Sequence, residues 1–371
     1  MSIDQLIMKQ NILSLADSST WQCSVGCADQ ALPAWLAGLG HCDFTRVYFV
    51  GCGTSLYAGQ VGKCVLEHLA HIPAEAVAGY NFAAYAEPAI LTGQTLVVGI
   101  SATGKTAAVC DALARARRAG APTIGITAEP QADIARVADA LIPTGGRVTI
   151  SVKTKTYVQS LIALYLLALY LANARGRGDV ALGAHWRQQI GLAADGARRF
   201  LDHQQGEIEQ LAHRYADSPN VFVLGTGPNI GTAEEASLKV IEMAKVYSET
   251  QELENFMHGR LREVDGSTPM FFIAPQGRAS DRVLDFLTVT DHVGAPSIVL
   301  TDQVTPGIKR LATRVVYMPG GLDELATPLL YIVPLYLFGY HMALERGYDP
   351  AARRYPDIVP QEMRYRDPAG A

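Results

Sequence analysis

Val47–Ser55 reads VYFVGCGTS, and Val221–Asn229 reads VFVLGTGPN. Both are apolar runs that end in glycine and small polar residues. Three more pairs follow in the same order. TLVVGISATGK from Thr95 matches TPMFFIAPQGR from Thr268, APTIGITAE from Ala121 matches APSIVLTDQ from Ala295, and LYLLALYLA from Leu164 matches LYLFGYHMAL from Leu335. Four matches in one order, at nearly constant spacing, indicate a duplicated domain. Within each copy, Val- and Ile-rich runs alternate with longer stretches of helical spacing, such as TAAVCDALARARRA at Thr106–Ala119. Uninterrupted apolar strands alternating with helices imply a parallel sheet covered on both faces. The expected fold class is α/β, with two doubly wound, flavodoxin-like parallel-sheet domains in tandem.

Composition narrows the class further. The 371 residues are 49% hydrophobic and 18% charged, which supports large cores and excludes a disordered chain. A net charge of −5 leaves no basic footprint for nucleic acid. Cys23, Cys27, Cys42, Cys52, Cys64 and Cys110 all lie in the first third. That distribution does not suit a disulfide framework and points to reduced thiols in the cytoplasm. Cys23 and Cys27 have no second pair at metal-ligand spacing, so no metal is expected. The N-terminus, MSIDQLIMKQ, has no signal-peptide pattern. The longest apolar run, Leu161–Ala172, is short for a bilayer and reads as a core helix, so no membrane partner is expected.

The segments expected are a helical lead-in over residues 1–35, a first domain over 36–175, linking helices over 176–205, a second domain over 206–346 and a C-terminal arm over 347–371. Four prolines and weak periodicity make that arm extended rather than helical.

Three places could carry chemistry. Gly99–Thr106, GISATGKT, fits the G-x4-G-K-T phosphate-loop pattern and follows an apolar run. Small residues let backbone N–H groups approach a phosphate, and a helix N-terminus adds a favourable dipole. Read alone, the motif suggests a nucleotide triphosphatase, with Asp302 of PSIVLTD as the candidate metal-binding acid, or else a capped strand–helix turn. Its repeat partner, IAPQG at Ile273–Gly277, has lost the pattern. The second place is Gly51–Ser55, where glycines and hydroxyls at a strand end suit a polar ligand. The third is Ala236–Asp265, where Lys239 and Glu242 share a helical face and His258 follows in MHG. The plain alternative there is a solvated ion pair and a loop histidine.

Taken together, these elements resemble the sugar isomerase (SIS) domain family. The likeness is to the tandem isomerase half of glucosamine-6-phosphate synthase and to the fructosamine-6-phosphate deglycases, and it runs from about Met8 to Tyr355. The family's C-G-T-S turn reads Cys52–Ser55, and its S-Q-S-G-E-T phosphate loop reads Ser101–Thr106, SATGKT. A-S-T-K-A-F becomes Val152–Tyr157, VKTKTY. A-L-K-L-K-E becomes Ser237–Glu242, SLKVIE, and K-H-G-P becomes Met257–Arg260, MHGR.

The resemblance implies a sugar 6-phosphate ligand with no cofactor. Ser101, Ala102, Thr103, Gly104, Lys105 and Thr106 would hold the phosphate. Thr54 and Ser55 would line the sugar, and Cys52, Gly53 and Lys153 would join them in binding the substrate or its phosphate. Glu242 would act as general base for proton transfer between C1 and C2. Lys239 would stabilise the developing oxyanion. His258, contributed by the neighbouring subunit of a homodimer, would assist ring opening. The isomerase-like region begins directly after Met1, so glutamine-dependent ammonia production is not expected. Several departures separate this chain from the synthase. Ile358 stands where its arm carries a catalytic lysine, Lys153 replaces a serine and Arg260 replaces the proline of H-G-P. The arm's DPAARRY resembles the deglycase branch. The implied activity is an isomerase, deaminase or deglycase acting on a phosphorylated ketose or ketosamine; the alternative is a phosphosugar sensor without turnover.

Overall fold

The computed structural model describes residues 2–39 and 43–356; Cys42, Ile358 and most of the arm lie outside them. The chain forms two compact units. One comprises Ser18–Thr149 and Lys153–Ile190. The other comprises the N-terminal segment to Asp17, Ile150–Val152 and Gly191–Arg353.

The first unit is built on strands β1 (Arg46–Gly51), β2 (Ala74–Ala78), β3 (Thr95–Ile100), β4 (Thr123–Thr127) and β5 (Ala140–Pro143). They pair in parallel in the order β2-β1-β3-β4-β5. The second unit repeats the plan with β6 (Asn220–Leu224), β7 (Tyr247–Glu249), β8 (Met270–Ile273), β9 (Ser297–Thr301) and β10 (Arg314–Tyr317). Its order, β10-β9-β8-β6-β7, is the same arrangement, again parallel. This is the doubly wound order expected from the alternating runs. The central strands are buried along their whole length, as sheets covered on both faces require.

The duplication extends to single hydrogen bonds. Ser101 N–H donates to the Ile126 carbonyl at 3.0 Å, and Ala274 N–H to that of Leu300 at 2.9 Å. Thr144 N–H donates to Thr127 at 2.9 Å, and Met318 N–H to Thr301 at 2.8 Å. The Thr127 hydroxyl accepts from Glu129 N–H, and the Thr301 hydroxyl from Gln303 N–H, both at 3.1 Å. These pairs fix the equivalences Ser101/Ala274, Gly104/Gly277 and Ala128/Asp302. Gly51 and Gly225 make the same tight turn after β1 and β6. A β-carbon on Gly51 would lie 2.5 Å from the Ser55 backbone, and one on Gly225 would lie 2.4 Å from that of Asn229.

Each unit has one helix buried around most of its circumference, Lys155–Ala174 in the first and Pro328–Glu345 in the second. Lys155–Ala174 is long and apolar enough to cross a membrane by length and composition, but it is 83% buried within the protein. It packs against the helix Thr54–Ala70, where Leu164 fills the space that Gly62 leaves open. The N-terminal segment divides between the units. The helix Ile3–Leu13 buries Met8 and Ile12 and packs on Pro328–Glu345, whereas Ser18–Leu39 packs on Lys155–Ala174 and β5. Among the described residues the cysteines are thiols rather than disulfides.

Candidate active site

In the first unit, β1 and β3 lie side by side but their connections leave in opposite directions, so their carboxyl ends flank the switch point where such sheets bind ligands. Two turns open there. The first is Cys52–Ser55, with Gly53 at φ 53° just before the helix Thr54–Ala70. Cys52 is exposed as a residue, and local desolvation of its thiol pushes the pKa up, against a smaller opposing hydrogen bond from the Gly79 backbone.

The second turn is Ser101–Thr106. The buried Ser101 hydroxyl lies 2.9 Å from that of Thr106. Gly104 N–H donates to the Ser101 carbonyl at 2.9 Å, and the Gly104 carbonyl accepts from Ile134 N–H at 2.9 Å. Gly104 sits at φ 62°, and a β-carbon there would lie 2.7 Å from that of Ala132. Only glycine lets the loop lie this close to its floor. Thr106 begins the helix Ala107–Arg118 without a side-chain cap bond, so its hydroxyl is committed to the loop rather than to the helix amides. Lys105 is exposed and Lys153 half-buried.

In the second unit, the helix Asn229–Ala244 carries the expected acid–base residues. Lys239 Nζ lies 2.6 Å from Glu242 Oε2 and 3.4 Å from Glu235 Oε1. Glu235 also accepts from the Tyr336 hydroxyl at 3.0 Å. The Lys239 and Glu235 side chains have no exposed surface, whereas that of Glu242 is 35% exposed. Burial alone would push the Lys239 ammonium down, but the two carboxylates outweigh it and hold its pKa above the ordinary value. The ammonium expected to face a substrate oxyanion is instead enclosed and committed to two carboxylates. Glu235 and Tyr336 did not enter the sequence reading. Glu235 sits four positions before Lys239, a helical-face spacing that could have flagged it; Tyr336 is distant in sequence.

His258 ends the short helix Leu253–Met257. Its side chain is 75% exposed and lies 3.8 Å from Glu254. Nearby, Arg260 pairs with Glu249, which also accepts from the Tyr247 hydroxyl at 2.6 Å. The structure thus gathers Lys239 with Glu242 and Ser101 with Thr106, and leaves His258 on its own surface loop.

The second unit's counterpart of Ser101–Thr106 is occupied by the protein itself. Asp302 accepts from Gln276 N–H at 2.8 Å and from the Tyr331 hydroxyl at 3.2 Å. Glu324 accepts from Arg278 N–H at 3.3 Å. Its carboxyl carbon would lie 2.4 Å from a β-carbon on Gly277. Burial and the neighbouring Asp302 carboxylate raise the Tyr331 hydroxyl far above its usual range, so it stays a donor. Asp302, the candidate metal acid of the nucleotide reading, is therefore engaged within the second repeat. Among the described residues no group of three or more His, Cys, Asp or Glu could hold a metal ion.

The SIS domain model matches residues 42–170 and 214–346, one match per sheet. The chain belongs to the SIS domain family. Its curated relatives include the glutamine–fructose-6-phosphate aminotransferase (isomerizing) of Gloeobacter violaceus, 32% identical over 314 residues, covering 83% of this chain and 50% of that protein. The same enzyme of Caldanaerobacter subterraneus subsp. tengcongensis is 32% identical over 305 residues, covering 82% and 50%. The SIS chain thus spans about half the length of the curated relatives it matches, corresponding to their isomerase half. Among solved structures, the C-terminal domain of glucosamine-fructose-6-phosphate aminotransferase from Francisella tularensis superposes with a TM-score of 0.82 at 22% identity, covering 92% of this chain and 96% of that one. Glucosamine-6-phosphate deaminase from Thermotoga maritima gives 0.71 at 19%, covering 96% and 100%. At these identities the two structures share the fold.

Proposed function

We propose that this SIS protein is an enzyme that binds a sugar 6-phosphate and transfers a proton between C1 and C2. The observation that carries the reading is the Glu242 carboxylate, partly open to solvent and held at 2.6 Å by a lysine that is itself wholly enclosed. A base for enolisation must reach substrate while its orientation is fixed from behind. In this reading Lys239 is a positioning residue that fixes Glu242 rather than a contact for the oxyanion.

On an open-chain ketosamine 6-phosphate, Glu242 takes a proton from C1; the C1–H electron pair forms the C1=C2 bond of an enolamine while the C2 carbonyl π pair moves to O2, which takes up a proton from solvent. Return of the proton to C2 breaks C1=C2 while the nitrogen lone pair forms C1=N, leaving a protonated imine at C1 and a hydroxyl at C2. Water adds to that imine and expels the amine, giving an aldose 6-phosphate. With a hydroxyl at C1, the same two transfers interconvert ketose and aldose. Ser101, Thr103, Gly104 and Thr106 hold the phosphate through hydroxyls and backbone N–H groups, with Lys105 as a nearby cation. Thr54, Ser55 and Lys153 line the sugar, and His258 of a second subunit assists ring opening. Support comes from the family, from the turns at the β1/β3 switch point and from the arm sequence DPAARRY.

A thermal-shift screen tests the proposal, with fructose-6-phosphate, glucosamine-6-phosphate and fructoselysine-6-phosphate set against magnesium-ATP and each hit followed for amine release and isomer formation. Stabilisation by a phosphosugar with turnover is expected. Stabilisation without turnover of any hit would favour a sensor, and stabilisation by magnesium-ATP alone would overturn the reading.

A further inference from the structure

Lys245 ends the helix Asn229–Ala244 in the left-handed conformation, at φ 58° and ψ 29°. Glycine commonly fills this position, because a β-carbon makes the left-handed backbone costly. Residues with side chains persist there where their surroundings over-determine them. The surroundings of Lys245 are specific. Its ammonium donates to the carbonyl of Glu242 and, at 3.0 Å, to that of Ala352. The first is one of the last-turn carbonyls that a helix leaves unpaired. The second belongs to the arm that follows Pro328–Glu345.

Two further ties hold the arm. The Ser2 hydroxyl donates to Asp349 at 2.5 Å, and the Ser151 hydroxyl to the Ala351 carbonyl at 3.4 Å. They anchor the arm to the N-terminal segment and to the stretch before the helix Lys155–Ala174. The tie from Lys245 reaches the helix that bears Glu242. Arg353, exposed, follows it by one residue.

We propose that Lys245 is a positioning residue that fastens the C-terminal arm to the end of the helix carrying Glu242. Its catalytic consequence rests on the reading of Glu242 as the base; its mechanical consequence does not. An arm fastened there holds the last turn of the helix, and with it the backbone that carries Glu242, in place.

The test compares Lys245→Gly and Lys245→Arg with the wild-type chain. Glycine removes the ammonium while suiting the backbone, so folding is preserved and the melting temperature is unchanged or higher. Trypsin cleavage at Arg353 and Arg354, followed by mass spectrometry, is expected to be about tenfold faster in Lys245→Gly, in line with local opening of a released segment. In Lys245→Arg it should stay near wild type. With the phosphosugar that the screen identifies, Lys245→Gly is expected to lower kcat by about tenfold while KM stays within about twofold, the pattern of a lost positioning contact. Arm cleavage at the wild-type rate in Lys245→Gly would overturn the tie. Faster cleavage with unchanged kcat would overturn the positioning role. A wild-type chain that turns over no phosphosugar would defeat the enzymatic reading, and the proteolysis would still decide the tie.

Discussion

The two repeats share a backbone down to individual hydrogen bonds, yet they bury opposite chemistry at equivalent places. On the helix after the first strand, the first copy buries Val61 and Val65, both with no exposed surface. The second copy buries Glu235 and Lys239 at the same positions. After the fourth strand the first copy has Ala128, and Gly104 of its loop Ser101–Thr106 rests against uncharged side chains, Ala132, Ile134 and Thr127. The second has Asp302, and there Asp302 and Glu324 take backbone donors of the loop. A duplicated sheet thus presents two cradles of one shape. The second is filled by the protein's own carboxylates, and that copy has put its buried charge into the helix Asn229–Ala244. Buried charge is tolerated only where it is paired, so the contrast should be visible in energies as well as in geometry.

The largest effect is expected at Lys239. Lys239→Met strands two carboxylates, one of them enclosed, and should cost about 3–5 kcal/mol in denaturant unfolding. Converting the second copy toward the first with Glu235→Val and Lys239→Val together should recover part of that loss, since apolar replacements of a buried pair are often tolerated. A double variant as unstable as the single would break the comparison. The pH dependence carries a definite sign. The folded pKa of Lys239 lies above its ordinary 10.5, so its contribution is fully present below that value and is lost as pH rises past the folded one. Lys239→Met should therefore lack that alkaline loss in melts followed across this range.

Glycine replacements come next. Gly104→Ala forces a side chain into left-handed backbone and against Ala132, and should cost about 1–3 kcal/mol. Gly277→Ala meets only the movable end of Glu324 and should stay within about 0.5 kcal/mol. Equal costs in chemical melts would erase the difference between the loops. Smaller again, Thr106→Val removes one partner of the Ser101 hydroxyl and should cost about 1 kcal/mol while weakening inorganic phosphate binding by calorimetry. The smallest signal is a binding count. The wild-type chain should titrate one class of inorganic phosphate site, and Asp302→Asn with Glu324→Gln should add a second, weaker class. Two classes in the wild type would contradict the filled cradle.

The sheets were legible because their strands are uninterrupted apolar runs repeated in order, and TLVVGI and PSIVLT lie in central strands, one in each sheet. Lys239 and Glu242 were legible as a pair because three residues on a helix is a short reach. The enclosure of Lys239 was not, because it depends on Tyr336, which reaches Glu235 across a long sequence separation. Nor was the capture of Gln276 N–H by Asp302, since a backbone donor leaves no mark in side-chain pattern. The lead-in divides between the units for a similar reason. Which surface the buried Met8 and Ile12 cover is decided by Pro328–Glu345, at the far end of the chain.

Turnover and binding by Glu242→Gln, measured side by side with the wild type on the phosphosugar that the screen identifies, tests the central claim. The account predicts a dissociation constant within about twofold of wild type and a kcat lower by about 10²–10⁴, the range for loss of a positioned general base. Full turnover by Glu242→Gln would contradict it.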